Sequence, residues 1–422
     1  MPERHAPLLR VELVLGSGKL ADLRPSPLSL CGLFSTHPIR GIILRSKLPN
    51  IGTTIFTVMS TMAQEYGAIN LSQGFPDFDC PERLRELVAH YLNDRKNQYP
   101  PMVGIPALRE QIARKVQNLY GFSADMDQEV TVTSGATEAL FDAIHATVSA
   151  GDEVIVFDPA YDSYDPAISL AGAKAIHIPL QLPDFSIDWD RVRACITTRT
   201  RLIVINTPHN PSGAVLSKAD IETLAQITRD TDIYVLSDEV YEHMVFDDGV
   251  HESVLRHEEL RQRSFAVFSF GKTYHATGWK LAYCVAPPSL TREFRKVHQF
   301  VTFTSPSFIQ YAIADFMREC PQHAIELPHF YQEKRDTFCR LLAESRFVLK
   351  PSRGTYFQLA DYSALSGASD MEFVKQLTQE KGVAAIPLSP FYEKAPDSTL
   401  IRFCFCKDDA TLEAAAQILC AL

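Results

Sequence analysis

Between about residues 129 and 286 the chain repeats one pattern: a short β-rich run, a turn of small and polar residues, then a stretch of helical periodicity. The β-rich runs are EVTVT, DEVIVF, RLIVIN, DIYVLS, FAVFS and KLAYCVA. Strands that are apolar on both faces and separated by helices are buried on both sides, which is the mark of a mainly parallel sheet sandwiched by helices. The helical stretches around this core are amphipathic. PERLRELVAHYL places Leu84, Leu87, Val88, Tyr91 and Leu92 on one face, with Pro81 suited to the first turn. IPALREQIARKVQNLYG does the same with Leu108, Ile112, Val116 and Leu119, and Gly121 is placed to stop the helix. After about Pro321 the order changes to a long helix from about His323, GTYFQLADY, a helix near Glu372, GVAAIPL, LIRFCFC and a final helix. That reads as a smaller α+β domain.

Ligands of open parallel sheets bind beyond the carboxyl ends of the strands. Here VTVT runs into Ser134-Gly135-Ala136-Thr137, VIVF into Asp158-Pro159-Ala160-Tyr161, and LIVIN into Thr207-Pro208-His209-Asn210-Pro211. IYVLS runs into Asp238-Glu239-Val240-Tyr241, and FAVFS into Phe270-Gly271-Lys272. One sheet edge therefore collects a small-residue turn, an aromatic ring, an amide, a carboxylate with a tyrosine, and a lysine.

Gly271-Lys272-Thr273 matches the end of a phosphate-binding P-loop, but the glycine such a loop needs five residues earlier is Ala266, inside a strand. A covalent role suits Lys272 better, because a lysine amine condenses with carbonyls and pyridoxal phosphate exploits that reaction. The other strand ends answer the cofactor's remaining needs. Amides at Ala136 and Thr137, the Thr137 hydroxyl, Ser269 and Lys280 suit a phosphate at a helix start. Asp238 suits a protonated ring nitrogen, Asn210 and Tyr241 a phenolic oxygen, and Tyr161 the ring face.

Other classes lack support. A net charge of -10 gives nucleic acid or an anionic membrane no foothold, and no apolar run is long enough to span a bilayer. The cysteines number nine, with no C-x-x-C pair, which suggests reduced thiols in a cytoplasmic setting. Cys404 and Cys406 read as strand core. His251-Glu252 lacks a histidine at zinc-motif spacing, and no G-x-S-x-G elbow appears, so neither a metal site nor serine hydrolysis is expected. Residues 1–45 are Pro- and Ser-dotted and weakly periodic, and are expected to be a disordered extension, with an organelle transit peptide as the alternative.

From about Lys47 to its C-terminus the chain resembles the class I/II aminotransferases of the pyridoxal-phosphate fold-type I superfamily, most closely the bacterial methionine aminotransferases and their kynurenine aminotransferase relatives. The resemblance rests on LSQGFPDFD, NQYPPMVGIPALR, TSGATEAL, FDPAYDSY, NTPHNPSG, SDEVYEHM, SFGKTYHATGWK and LIRFCFC, in that order. It implies an α/β fold with a mainly parallel seven-stranded sheet in a large domain (residues 85–321), a smaller α+β domain (322–422) and an N-terminal arm (46–84) that contributes to the substrate site. It implies that Lys272 carries pyridoxal 5'-phosphate covalently, that Asp238 pairs with the ring nitrogen, and that Tyr241 and Asn210 bond the phenolic oxygen. Tyr161 would stack on the ring, and Ala136, Thr137, Ser269 and Lys280 would hold the phosphate. Tyr99 would reach the phosphate of a neighbouring subunit, making the enzyme a homodimer. Arg402 would take the substrate carboxylate with Asn210 and the backbone of Gly74. On their own, Arg402 also reads as an exposed strand arginine, Tyr99 as helix-entry packing and Gly74 as a turn.

Gly271 departs from the family, where many members carry serine. Ile55, Phe56, Phe75, Phe78 and Tyr274 are expected near the entrance, with no second cation for a dicarboxylate. That favours methionine and aromatic amino acids as donors to a 2-oxo acid, in a ping-pong cycle. Two alternatives are a cysteine-conjugate β-lyase on the same scaffold and a non-enzymatic cofactor-binding regulator. The latter needs a DNA-binding helical domain that the first 45 residues do not resemble.

Overall fold

The large sheet is built from β1 (Val130–Thr133), β2 (Glu153–Asp158), β3 (Lys174–Pro179), β4 (Thr200–Asn206), β5 (Tyr234–Asp238), β6 (Ser264–Ser269) and β7 (Ala282–Val285). This is a computed structural model, and it describes residues 45–422. The expectations for the N-terminal extension lie outside the described residues. Across the sheet the order is β1-β7-β6-β5-β4-β2-β3. Neighbours among β2 to β6 are parallel, and β7 is antiparallel to both β6 and β1. Every strand but β7 therefore runs in one direction, and their carboxyl ends share one edge.

The missing alternation in these strands has a direct cause. Ile155 and Phe157 of β2 join one apolar cluster, while Val154 and Val156 join the cluster on the opposite face. In β4, Ile203 and Ile205 face the first cluster and Leu202 and Val204 the second. Both faces are dry, so both sets of side chains are apolar. The exception is β3, which is absent from the strand-like runs read in the sequence. It is the sheet's edge, only Ile178 in it is buried, and its KAIHIP mixes alanine, histidine and proline into the run.

Helix Glu82–Asn93 buries Leu84 and Leu87, with Val88 and Tyr91 packed partly against the core. Leu92 is 48% exposed, contrary to the expected face, because it lies on the far flank of the helical stripe. Helix Pro106–Tyr120 starts with proline in its first turn and stops at Gly121, whose φ of 70° is left-handed.

Beyond residue 321 a four-stranded sheet runs Ile386–Pro387, Leu400–Cys404, Phe357–Asp361 and Val348–Leu349 in spatial order, with antiparallel pairing throughout. Helices Gln322–Leu341, Asp370–Gln376 and Asp409–Cys420 accompany it. Cys404 and Cys406 are fully buried in its core. The segment before the large sheet is stitched to this part: Ile69–Asn70 pairs in parallel with Val383–Ala384, and the Cys404 N–H donates to the Leu71 carbonyl at 2.8 Å. That stitching fixes Ser72 and Gly74 beside the strand that carries Arg402. Among the described residues, no helix is long and apolar enough to cross a membrane.

Candidate active site

Beyond β6 the chain makes one helical turn, Phe270–Thr273, which carries Lys272 into a cleft of about 290 Å³. The Lys272 Nζ donates to the Tyr356 hydroxyl at 2.9 Å and to the Gly74 carbonyl at 3.3 Å. It lies 5.5 Å from the ring centroids of both Tyr241 and Tyr356. Burial lowers its pKa to about 8, so an appreciable share of the amine is neutral and nucleophilic near physiological pH. The glycine before it sits against tightly packed backbone. A Cβ at Gly271 would stand 3.0 Å from the Thr277 Cα and 3.2 Å from the Ala276 carbonyl oxygen, both backbone atoms.

Asp238 ends β5 and is almost fully buried. Its Oδ2 accepts from the Tyr164 hydroxyl at 2.7 Å, and its Oδ1 accepts from the Val240 N–H at 3.4 Å. Burial raises its pKa to about 6 against these donors, so its anion is short of positive charge. Asn206, at the end of β4, donates to the Asp238 carbonyl at 2.9 Å and accepts from the Asn210 N–H at 2.8 Å. It thus ties the carboxylate segment to the amide segment.

At the end of β1, Gly135 adopts φ 87° and opens helix Ala136–Thr147. A Cβ there would stand 3.1 Å from the Lys280 Nζ. Glycine is what lets the ammonium lie over the helix N-terminus, where the Ala136 and Thr137 amides are unpaired within the helix. Thr137, Ser269 and Lys280 line the same cleft, a ready anion cradle. Tyr161 lines it too, and burial pushes its phenol up to about 12.

Arg402 is fully buried. One terminal nitrogen donates to the Asn210 Oδ1 and the other to the Ser72 carbonyl, both at 2.8 Å, while Nε has no partner. Its guanidinium lies 3.9 Å from the Phe357 ring centroid and 5.3 Å from that of Phe56. A Cβ on Gly74 would come within 2.9 Å of the tip of the Phe357 ring, so any larger residue here would have to displace that ring.

All the expected residues but Tyr99 therefore line one cleft. Tyr99 is 85% exposed and stands edge-on to Phe303 at 5.7 Å, away from its own chain's cleft. Of the entrance residues, only Phe56 lines the cleft. Tyr274 is buried among Phe270, Phe316 and His323, because it lies beyond the helical turn that aims Lys272 inward. Ile55 belongs to the core, Phe78 packs on Phe330 and His275, and Phe75 is 45% exposed. Tyr164, Tyr356, Phe357 and Asn206 were not singled out by sequence. Tyr164 lies three residues past Tyr161, where the following helix begins, and that spacing was the available signal.

The donor set fits pyridoxal phosphate. It offers a neutralisable lysine amine, a buried carboxylate short of a cation, neutral donors between them, and a glycine-shaped cradle for an anion.

Three comparisons bear on this arrangement. Residues 66–419 match the family model for aminotransferase class I and II. A methionine aminotransferase of Escherichia coli is 54% identical over 378 residues, covering 90% of this chain and 98% of that protein. Human kynurenine–oxoglutarate transaminase 1 is 33% identical over 389 residues, covering 84% of this chain and 92% of that protein. A crystal structure of an Escherichia coli protein identified as a methionine aminotransferase superposes with a TM-score of 0.89 at 54% identity, covering 90% of this chain and all of that one.

Proposed function

This chain belongs to the class I and II aminotransferases, which depend on pyridoxal 5'-phosphate, and from that premise we propose that it takes its amino group from methionine, with aromatic amino acids as further donors. The observation that carries this reading is the cleft's cation count. Among the described residues of this chain, its lysines are Lys272 and Lys280 and its one arginine is Arg402. With Lys272 and Lys280 given to the cofactor, Arg402 is left for the α-carboxylate. The second carboxylate of aspartate finds no cation there, whereas the Phe56 and Phe357 rings offer apolar surface to a thioether or an aromatic ring.

Bound pyridoxal phosphate supplies an electron sink for the carbanion formed at the substrate Cα. Lys272 would hold it covalently through Nζ, and Asp238 would keep a proton on the ring nitrogen. Tyr241 and Asn210 would donate to the phenolic oxygen, and Tyr161 would cover the ring face. The Ala136 and Thr137 amides, the Thr137 and Ser269 hydroxyls and the Lys280 ammonium would hold the phosphate. Arg402 would bind the substrate carboxylate with Asn210 and the Gly74 backbone. The freed Lys272 amine would then take the Cα proton and return it to the cofactor, as base and then acid.

We further propose a homodimer in which Tyr99 reaches the phosphate of the neighbouring subunit. The supporting feature is an aromatic patch of Tyr99, Phe300 and Phe303, exposed by 85%, 83% and 42%. Residues 46–84 would serve as an arm contributing to the small domain and the substrate site, 85–321 as the cofactor domain and 322–422 as the small domain. The eight described cysteines carry no disulfide, in keeping with a cytoplasmic enzyme.

The test is the absorption spectrum of the purified protein with L-methionine and no oxo acid. Loss of the visible band, restored by a 2-oxo acid, is the expected result. Equal turnover of aspartate would overturn the methionine assignment. A band that persists while pyruvate accumulates from cysteine conjugates would show the β-lyase instead.

A further inference from the structure

We propose that Tyr356 is a positioning residue for Lys272, holding its released amine so that the lone pair faces the substrate Cα; this rests on the aminotransferase reading of the cleft. The Tyr356 hydroxyl has one proton, and it is spent on the Gly74 carbonyl at 2.6 Å. Toward Lys272 the hydroxyl can only accept, and the Nζ stands 2.9 Å from it. The Gly74 carbonyl, 3.3 Å from the same Nζ, is a second acceptor. A neutral amine has two N–H bonds and one lone pair. With both bonds directed at Tyr356 and Gly74, the lone pair is the one valence left for the open cleft.

The holder itself is rigid. The Tyr356 ring is 1% exposed and packs at 4.9 Å on Phe357, 5.2 Å on Tyr241 and 5.6 Å on Tyr331. A free lysine side chain samples many rotamers, and its ordering is an entropy cost that the fixed acceptor pair meets before the chemical step. The hydroxyl also distinguishes the amine's two states. It accepts more strongly from an ammonium than from an amine, so it raises the affinity of Lys272 for the proton it must collect.

Tyr356→Phe keeps the packed ring and deletes only the hydroxyl. The first readout is the Lys272 titration in cofactor-free protein, by competitive labelling with acetic anhydride quantified on the Lys272 peptide. The groups that face Lys272 from the packed elements are Asp238, Tyr241, Lys280, Arg402, Cys404 and Cys406, and all remain in the variant. The midpoint is expected to fall by about half a unit to one unit. The second readout is single turnover of L-methionine and its Cα-deuterated form by the loaded enzyme. The proton-transfer step is expected to slow about tenfold with a larger isotope effect, while methionine affinity holds.

An unchanged midpoint, or an unchanged isotope effect with weaker methionine binding, overturns the proposal. If the variant does not fold, 3-fluorotyrosine placed at 356 weakens the hydroxyl as an acceptor and is expected to lower the midpoint in the same direction; no shift overturns the proposal there as well. Failure of the wider reading looks different. Wild-type protein treated with pyridoxal phosphate and borohydride would then carry no adduct on Lys272, whatever the titration in cofactor-free protein shows.

Discussion

Arg402→Lys keeps the positive charge and removes the fork, so it isolates what the planar guanidinium contributes. In the structure its terminal nitrogens reach Asn210 and the Ser72 carbonyl, and Nε has no partner. A substrate carboxylate arriving here would find donors already aligned in one plane, held by the Phe357 ring at 3.9 Å. Lysine is shorter and offers a single point of donation, so at least one charged hydrogen bond to the carboxylate is lost and the other is strained. Hydrogen bonds to charged groups contribute about 1.5–3 kcal/mol each, so a loss of about 2–4 kcal/mol is expected. That corresponds to a fall of about 30- to 1,000-fold in kcat/KM for L-methionine. The assay needs a second substrate, the decarboxylated amine of methionine, which has nothing for Arg402 to grip. For that amine the wild type and the variant should agree within about threefold, a difference under 1 kcal/mol. If the variant loses both substrates equally, or retains a third of its methionine kcat/KM, Arg402 is not the carboxylate anchor.

Tyr164→Phe removes the hydroxyl donor to Asp238, which disfavours the carboxylate and moves its pKa further above the present value of about 6. Affinity for pyridoxal phosphate should fall about tenfold by fluorescence titration, about one pKa unit's worth of interaction; unchanged affinity would remove Tyr164 from the site. Because burial holds Lys272 near a pKa of about 8, uptake of the cofactor by cofactor-free protein should accelerate about tenfold per pH unit below 8 and level off above it. A flat rate from acid to alkaline pH, read by stopped flow, would contradict that burial. At the sheet edge, His177 lies 2.8 Å from Asp158 and 3.2 Å from Asp165. Burial alone would lower its pKa, but the two carboxylates outweigh it and raise the value to about 10, above an ordinary value near 6.5. The stability this confers is complete below pH 6.5 and is lost as pH rises through 10. With Asp165 partly exposed and screened, His177→Gln should cost about 2 kcal/mol in urea denaturation at pH 6, and progressively less toward pH 10. An equal cost at both ends of that range would mean that the ion pairs are not its source.

The sheet edge was legible because its cause is local. A strand buried on both faces is mostly apolar, with threonine and serine as tolerated exceptions in VTVT and YVLSD, so the polar cluster after it marks the strand's end, and five such ends named most of the cleft. Where the cause weakens, so does the signal: β3 borders the sheet with one face partly open, and its residues no longer spell a strand. The opposite wall was legible only in part: the family resemblance named Arg402 and Gly74, and no local pattern named their partners. Tyr356 and Gly74 are bonded across 282 residues of chain, and Phe56, Phe357 and Arg402 meet from separate segments. No periodicity reports such a meeting, which depends on how the small sheet is stitched to Ile69–Asn70. Tyr164 shows the intermediate case, since its spacing from Tyr161 puts both on one turn without saying which stacks and which donates.

Arg402 shows how structure decides between two readings of one residue. In LIRFCFC an arginine within an alternating strand can point to solvent and mean nothing, yet here it is fully buried, with burial lowering its pKa. A buried cation is tolerated when a carboxylate pairs with it, and Arg402's hydrogen-bond partners are an amide oxygen and a backbone carbonyl, neither of them charged. Its Nε has no partner at all. The folded chain therefore carries a cation with no hydrogen-bonded counter-charge, the Asp162 carboxylate acting on it only through space, in one cleft with a lysine amine and a buried aspartate that is itself short of a cation. The two deficits are of opposite sign and line one cleft. An amino acid's carboxylate at Arg402 and a protonated pyridine ring at Asp238 would satisfy both at once, with the reacting carbon held between them and Lys272.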